Sequence, residues 1–218
     1  MKIKLPVNMF NRLKPYRLCA LICATLYLIG CSTMPEQATS VEWQSHQARL
    51  QALSQYTVTG KLAYISPQER QSLNFFWSHK PQQTQIRLTT FLGKTVLSLN
   101  SDKNGSVIET YDGQTLKGKD VNQLITQLTG LNIPIAELQQ WLIGLPGASE
   151  QYQLNELNTL ESLMQPINGQ PWQLNYGRYG NFSRMNDVDP IAMPTQIKMQ
   201  QRDTKINLVV SKWTLEPQ

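Results

Sequence analysis

The sequence predicts a mainly β domain with added helices: a strongly curved antiparallel sheet with short helices laid across one mouth. Three observations lead there. Short segments of alternating apolar and polar residues recur between Gly, Asn, Asp and Pro turns, the pattern of antiparallel hairpins. Two strongly one-sided helical stretches interrupt that series near its middle. From Cys31 to Gln218 the chain has no second cysteine to pair with the first, so packing has to hold the fold.

Taken in order, the chain begins with Lys2, Lys4, Arg12, Lys14 and Arg17 and no acidic residue, followed by an uncharged run from Leu18 to Gly30. That run is shorter than the ~20 residues a bilayer-spanning helix needs, so residues 1–30 read as a secretory leader that is removed. Residues 31–40 read as a polar tether and 41–218 as a single domain. Thr39 and Glu42 have capping-box spacing ahead of a helix of about three turns carrying Trp43, His46, Leu50 and Leu53, with His46 at its polar edge.

Strand signals follow: Tyr56 to Tyr64, ended by Ser66-Pro67, then Leu73 to Trp77, Ile86 to Thr89, Val96 to Leu99, Val107 to Tyr111 and Thr115 to Lys117. Asp120 is placed to cap a helix striped by Val121, Leu124, Ile125 and Leu128 and stopped by Gly130. Pro134 suits the first position of a second helix, with Ile135, Leu138, Trp141 and Leu142 before Gly144 and Pro146. Strands resume at Tyr152 to Leu157, Leu160 to Met164 and Trp172 to Tyr176. Residues 177–193 read as a loop, and Thr195 to Met199 and Ile206 to Trp213 close the series. The total is roughly nine to eleven strands with three helices.

Composition removes several functions. The formal charge of +5 sits wholly in the leader, because all 15 acidic residues and 15 of the 20 basic ones come after it. The high pI is thus an export signature and does not point to nucleic acid. After the leader only His46 and His79 remain, there is no GxSxG, and no acidic cluster stands out, so neither a nucleophilic triad nor a histidine–cysteine zinc site has the residues it needs. No internal repeat or low-complexity tract is evident.

Two sets of residues carry a family resemblance. Leu28-Ile29-Gly30-Cys31 resembles the lipobox of bacterial lipoproteins, which implies a diacylglyceryl group and an acylated amino end at Cys31. The ordered stretches YISPQ (64–68), FFW (75–77), FLGKTVLSLN (91–100), LTGLNIPIAELQQWLIGLPG (128–147) and AMPTQIKM (192–199) resemble the LolB family of Gram-negative outer-membrane lipoprotein receptors. The resemblance implies an incomplete antiparallel barrel of about eleven strands with a helical lid over an apolar cavity. It further implies a protein with no cofactor and no covalent chemistry. Its role would be to accept acylated lipoproteins from a LolA-like periplasmic carrier and insert them into the inner leaflet of the outer membrane. Its partners would be that carrier, the lipoprotein cargo and outer-membrane phospholipid, with no nucleic acid, and the receptor would be a monomer. Ser32, in place of an aspartate after Cys31, agrees with an outer-membrane destination by the family rule.

One family feature maps to a residue. Leu92 stands where the family carries an exposed leucine needed for cargo release, Gly93 permits the turn, and Phe91 stands where a proline is expected. The resemblance thus makes Phe91, Leu92 and Gly93 a membrane-insertion loop, with Lys94 able to meet headgroups. Candidate cavity-lining residues are Tyr64, Phe75, Trp77, Leu88, Leu97, Leu99, Tyr111, Leu124, Trp141 and Trp172, each equally at home in an ordinary core. Asp112, Asp120, Glu137 and Glu150 are candidates for a local acidic patch facing the carrier. The alternative function is an outer-membrane lipoprotein that binds a lipid or an envelope-assembly partner.

Overall fold

The computed structural model describes residues 37–129, 134–184 and 189–216. The leader, Cys31, the start of the tether and the expected stop at Gly130 lie outside the described residues.

Helix α1 (Trp43–Gln51) comes first among the described elements. Its cap is Glu42, whose carboxylate accepts the Gln44 and Ser45 backbone N–H groups at 3.0 and 2.7 Å, so Thr39 is not the capping residue. His46 is buried, against the expectation of a polar edge. Six strands follow: β1 (Tyr56–Ile65), β2 (Arg70–Lys80), β3 (Gln83–Thr89), β4 (Thr95–Asp102), β5 (Gly105–Thr110) and β6 (Thr115–Gly118). Helix α2 (Val121–Thr129) starts where expected, with Asp120 Oδ1 accepting the N–H groups of Asn122 and Gln123. Helix α3 (Ile135–Leu142) begins one residue later than expected, with Pro134 as its cap. Asn122 Oδ1 ties the two helices by accepting the Ile135 N–H at 2.8 Å.

The last five strands are β7 (Gln151–Leu154), β8 (Leu160–Ile167), β9 (Gln170–Phe182), β10 (Ile191–Gln201) and β11 (Thr204–Leu215). Here the expectation of a loop over 177–193 fails at both ends, since β9 runs on to Phe182 and β10 starts at Ile191. The reason is a double break in register beside Pro194 and Gln196, which spoils the two-residue alternation that reveals a strand. Tyr176, Tyr179 and Gly180 are buried while Gly177 and Arg178 are exposed, a spacing no regular strand gives.

All eleven strands form one antiparallel sheet in the order β6-β5-β4-β3-β2-β1-β11-β10-β9-β8-β7. Strands consecutive in sequence pair with each other except β6 and β7, which are linked through α2 and α3 and form the two opposite edges, and β1 pairs also with the last strand. The two edge strands, β6 and β7, are four residues each, short enough to offer little template for another chain. Gly60 makes the β1–β11 junction: a Cβ there would sit 2.1 Å from the Val209 carbonyl oxygen, and the register slips between Thr59 and Gly60. Only glycine lets the two backbones meet this closely.

The apolar core lies between one face of this sheet and the helices. Trp141 of α3 packs tilted against Trp172 of β9 with centroids 6.4 Å apart, and the Trp141 carbonyl accepts the Tyr176 hydroxyl at 2.8 Å. Leu124 of α2 lies against Gly118 at the end of β6.

Candidate functional site

Strand pairing stacks the inward side chains of β1 to β5 into cross-sheet rows, and the rows differ in chemistry from one end of the strands to the other. The first row, at the end where β1 begins, is polar: Tyr56, His79, Thr84, Ser101 and Ser106 are successive partners. Gln139 of α3 donates its side-chain N–H to Thr84 Oγ1 at 2.7 Å, His79 Nδ1 lies 3.2 Å from the same oxygen, and Ser106 donates to Ser101 at 2.8 Å. Burial lowers the His79 pKa and raises that of Tyr56, favouring the neutral form of each. Sequence reading missed this network because Gln139 and Thr84 are 55 residues apart.

The second row is fully apolar and buried: Trp213, Val58, Trp77, Ile86, Leu99 and Ile108. In the third, Gly60 and Phe75 are buried but Leu88 and Leu97 are only half covered. Beyond it Leu62, Leu73 and Tyr64 are half covered as well. The same inward face is therefore closed at one end and partly open at the other.

The β3–β4 turn projects from the open end. Phe91 is 85% exposed and Leu92 80%. Thr90 and Gly93 close the turn through the Gly93 N–H to the Thr90 carbonyl at 3.0 Å, and the Thr90 N–H to the Lys94 carbonyl at 2.9 Å. Gly93 has φ +83°, a conformation L side chains resist.

Of the lining candidates, Phe75, Trp77, Leu99, Leu124, Trp141 and Trp172 are buried, and Tyr64, Leu88 and Leu97 are half-buried, all against the core. Tyr111 is a correction: it is 65% exposed, because β5 ends at Thr110 and the ring belongs to the next turn. Of the acidic-patch candidates, Asp112, Asp120 and Glu150 are exposed and Glu137 is half-buried; Asp112 accepts from Thr110 and Gln114, and Asp120 caps α2. A depression of about 330 Å³ is bordered by Gly60 and Phe75 of the third row together with Thr59, Lys61, Phe76 and Arg87, and one of about 500 Å³ is walled by Gln83, Asn100, Asp102, Asn104, Lys117 and Lys119.

The described residues define a mainly β protein, one eleven-stranded antiparallel sheet with helices packed on its apolar face and an exposed apolar turn between β3 and β4. Residues 54–213 match the family model described as outer membrane lipoprotein LolB. The chain is 49% identical over 209 residues to the outer-membrane lipoprotein LolB of Vibrio atlanticus (strain LGP32), spanning 92% of this chain and 97% of that one. Identity is 44% to the Vibrio cholerae protein of the same description (90% of this chain, 95% of that one) and 36% to that of Pectobacterium atrosepticum (88% and 93%). The chain belongs to the LolB family. It is an outer-membrane lipoprotein of the periplasmic face, a receptor and insertase for lipoproteins, and not an enzyme.

Proposed function

We propose that this receptor takes the acyl chains of a lipoprotein from a LolA-like carrier into an apolar cavity beneath a lid of α2 and α3, and releases them into the bilayer through the Phe91-Leu92-Gly93 turn. In this reading residues 1–30 are removed, Cys31 carries the acyl anchor, residues 31–40 tether the domain 41–218, and the receptor works as a monomer.

The observation that carries the reading is the graded burial of one apolar face. Leu99 and Leu97 share a strand and a face, yet the first is fully buried and the second half covered. Leu88, Leu62 and Tyr64 continue that partly open surface toward the projecting turn. Half-covered apolar side chains are where an incoming chain gains most, at about 0.8 kcal/mol for each methylene removed from water.

Helix contacts support a curled sheet. Gln139 bonds to β3 and Trp141 to β9, although these strands are five places apart in the sheet. Flat, that separation is about 24 Å at ~4.8 Å per strand, twice the width of a helix of ~10–12 Å. The sheet wraps around α3. This makes α3 the fixed part of the lid, hydrogen-bonded at Thr84 and Tyr176 and to Asn122 of α2, and leaves opening to the half-covered rows of β1 to β5.

Transfer needs no fuel. The carrier surrenders its cargo to a better apolar surface, and the bilayer is better still. Shape-tolerant aromatic and aliphatic walls suit a cargo whose chains vary.

The test is reconstitution. Purified carrier loaded with radiolabelled lipoprotein is mixed with this protein and liposomes, and cargo is followed into the lipid. Wild-type protein is expected to deliver it. Leu92→Glu is expected to accept cargo normally and deliver it roughly tenfold more slowly, since a charge resists entry into hydrocarbon. Normal delivery by Leu92→Glu would remove the turn's role; no delivery by folded wild type would remove the function.

A further inference from the structure

The turn that follows β5 repeats the turn that follows β3. Residues 90–94 are Thr-Phe-Leu-Gly-Lys and residues 110–114 are Thr-Tyr-Asp-Gly-Gln. In the second, the Gly113 N–H reaches the Thr110 carbonyl at 3.1 Å and the Thr110 N–H reaches the Gln114 carbonyl at 3.0 Å, the same two bonds that close the first. The glycines match as well, with φ +83° at Gly93 and +84° at Gly113. Both turns are therefore type I turns finished by a left-handed glycine. Both place an aromatic residue second, and both aromatics are exposed, Phe91 at 85% and Tyr111 at 65%.

The two turns are also neighbours. They close the β3–β4 and β5–β6 hairpins at the same end of the sheet, and β4 pairs with both β3 and β5. The Tyr111 N–H extends the ladder to the Val96 carbonyl at 3.1 Å, and Lys94 Nζ lies 4.8 Å from the centre of the Tyr111 ring. Phe91, Leu92 and Tyr111 are the three most exposed of the large hydrophobic residues described.

We propose that the twin turns form one two-pronged contact with the phospholipid surface, in which Phe91 and Leu92 enter the acyl region and Tyr111 seats at the headgroup level. This rests on the membrane role proposed above for the first turn. The third position of each turn sets its depth. Leucine in the first can be immersed, whereas Asp112 in the second cannot be immersed without losing its hydration. Its hydrogen bonds to Thr110 and Gln114 hold it ionised, in keeping with a wet level. Tyrosine is the side chain suited to that level, with an apolar ring and a hydroxyl that stays hydrated. Lys94 bridges the prongs, its ammonium over the tyrosine ring and its remaining N–H donors able to meet phosphate. Two convex prongs fit a fluid surface better than the groove of a folded protein. They also fix the rotation of the receptor, which a single prong cannot do.

The test measures depth. Leu92→Cys, Tyr111→Cys and Asn104→Cys, the last in the turn at the far end of β4, each carry a fluorophore on the full chain reconstituted in vesicles of phosphatidylethanolamine and phosphatidylglycerol. Quenchers are placed either on the acyl chains or on the headgroups. The expected result is strong acyl-chain quenching at 92, headgroup quenching at 111 and neither at 104. Quenching at 92 with none at 111 overturns the second prong and leaves the first turn's role standing. No quenching at either position overturns both. As a second readout, Tyr111→Trp should keep cargo delivery near the wild-type rate while Tyr111→Asp slows it roughly fivefold. Equal rates for the two variants would also overturn the proposal.

Discussion

Within β1 to β5 the two ends of the strands are different materials, whereas the rows that continue Leu62 and Tyr64 into β9 to β11 are buried throughout. At one end, Tyr56, His79, Thr84 and Gln139 lock α3 to the strands through hydrogen bonds over a buried row of Val58, Trp77, Ile86, Leu99 and Ile108. At the other, Leu62, Tyr64, Leu88 and Leu97 are half covered, and Phe91, Leu92 and Tyr111 stand in the open. What separates them within β1 to β5 is the reach of α3, whose polar contacts in these strands fall on the first row, at Tyr56 and Thr84, while on β9 its Trp141 carbonyl accepts the Tyr176 hydroxyl. The comparison teaches that in these strands one end carries the packing while the other keeps apolar surface uncovered, the surface the proposed function uses.

Leu99→Ala tests that division most severely. It should cost about 3 kcal/mol in urea unfolding, whereas Leu97→Ala, two residues along the same face, should cost about 1 kcal/mol. Equal losses would break the comparison. The next effect is on pH. His46 is buried at the closed end on α1, and desolvation first, with Arg49 second, pushes its pKa from 6.5 to about 4. Below pH 6.5 the unfolded chain binds a proton that the folded protein refuses, so stability falls as pH drops toward 4. Between pH 7.5 and 5 the His46 contribution should fall by about 2 kcal/mol, and His46→Leu should remove that part of the slope. Smaller again, Thr84→Val should cost about 1 kcal/mol by stranding the Gln139 amide, and protection of α3 against hydrogen exchange should fall with it. Phe91→Ser should be the mildest, within about 0.5 kcal/mol, because the ring is almost wholly in solvent. A large loss there would mean that the open end is part of the core after all.

Much of this was legible in the chain, for local reasons. The alternation of Tyr56, Val58, Leu62 and Tyr64 marks β1 and its inward face, and Asp120 marks the start of α2 by its own hydrogen bonds. Where local logic is broken, reading fails. Residues 177–193 carry glycines, Pro190 and a double register slip, so two long strands look like a loop. Thr39 and Glu42 have the spacing of a capping box, but Glu42 caps the helix itself. Tyr111 extends an apolar alternation and was placed inside, yet β5 ends one residue earlier. Its likeness to Phe91 was available as the spaced repeat Thr-aromatic-x-Gly, a signal too short to stand out without the matching glycine conformations.

By itself the sequence determined most of the strand periodicity and the start of α2, because each is written in residues a few places apart, while the projecting turn followed from the family resemblance. Only the tertiary structure decided which half of the inward face is sealed and which is open. That depends on where α3 comes to rest, and its position is set by contacts with Thr84 and Tyr176, residues far from it along the chain on either side. Burial is a property of neighbours in space, and no pattern within one strand distinguishes Leu97 from Leu99.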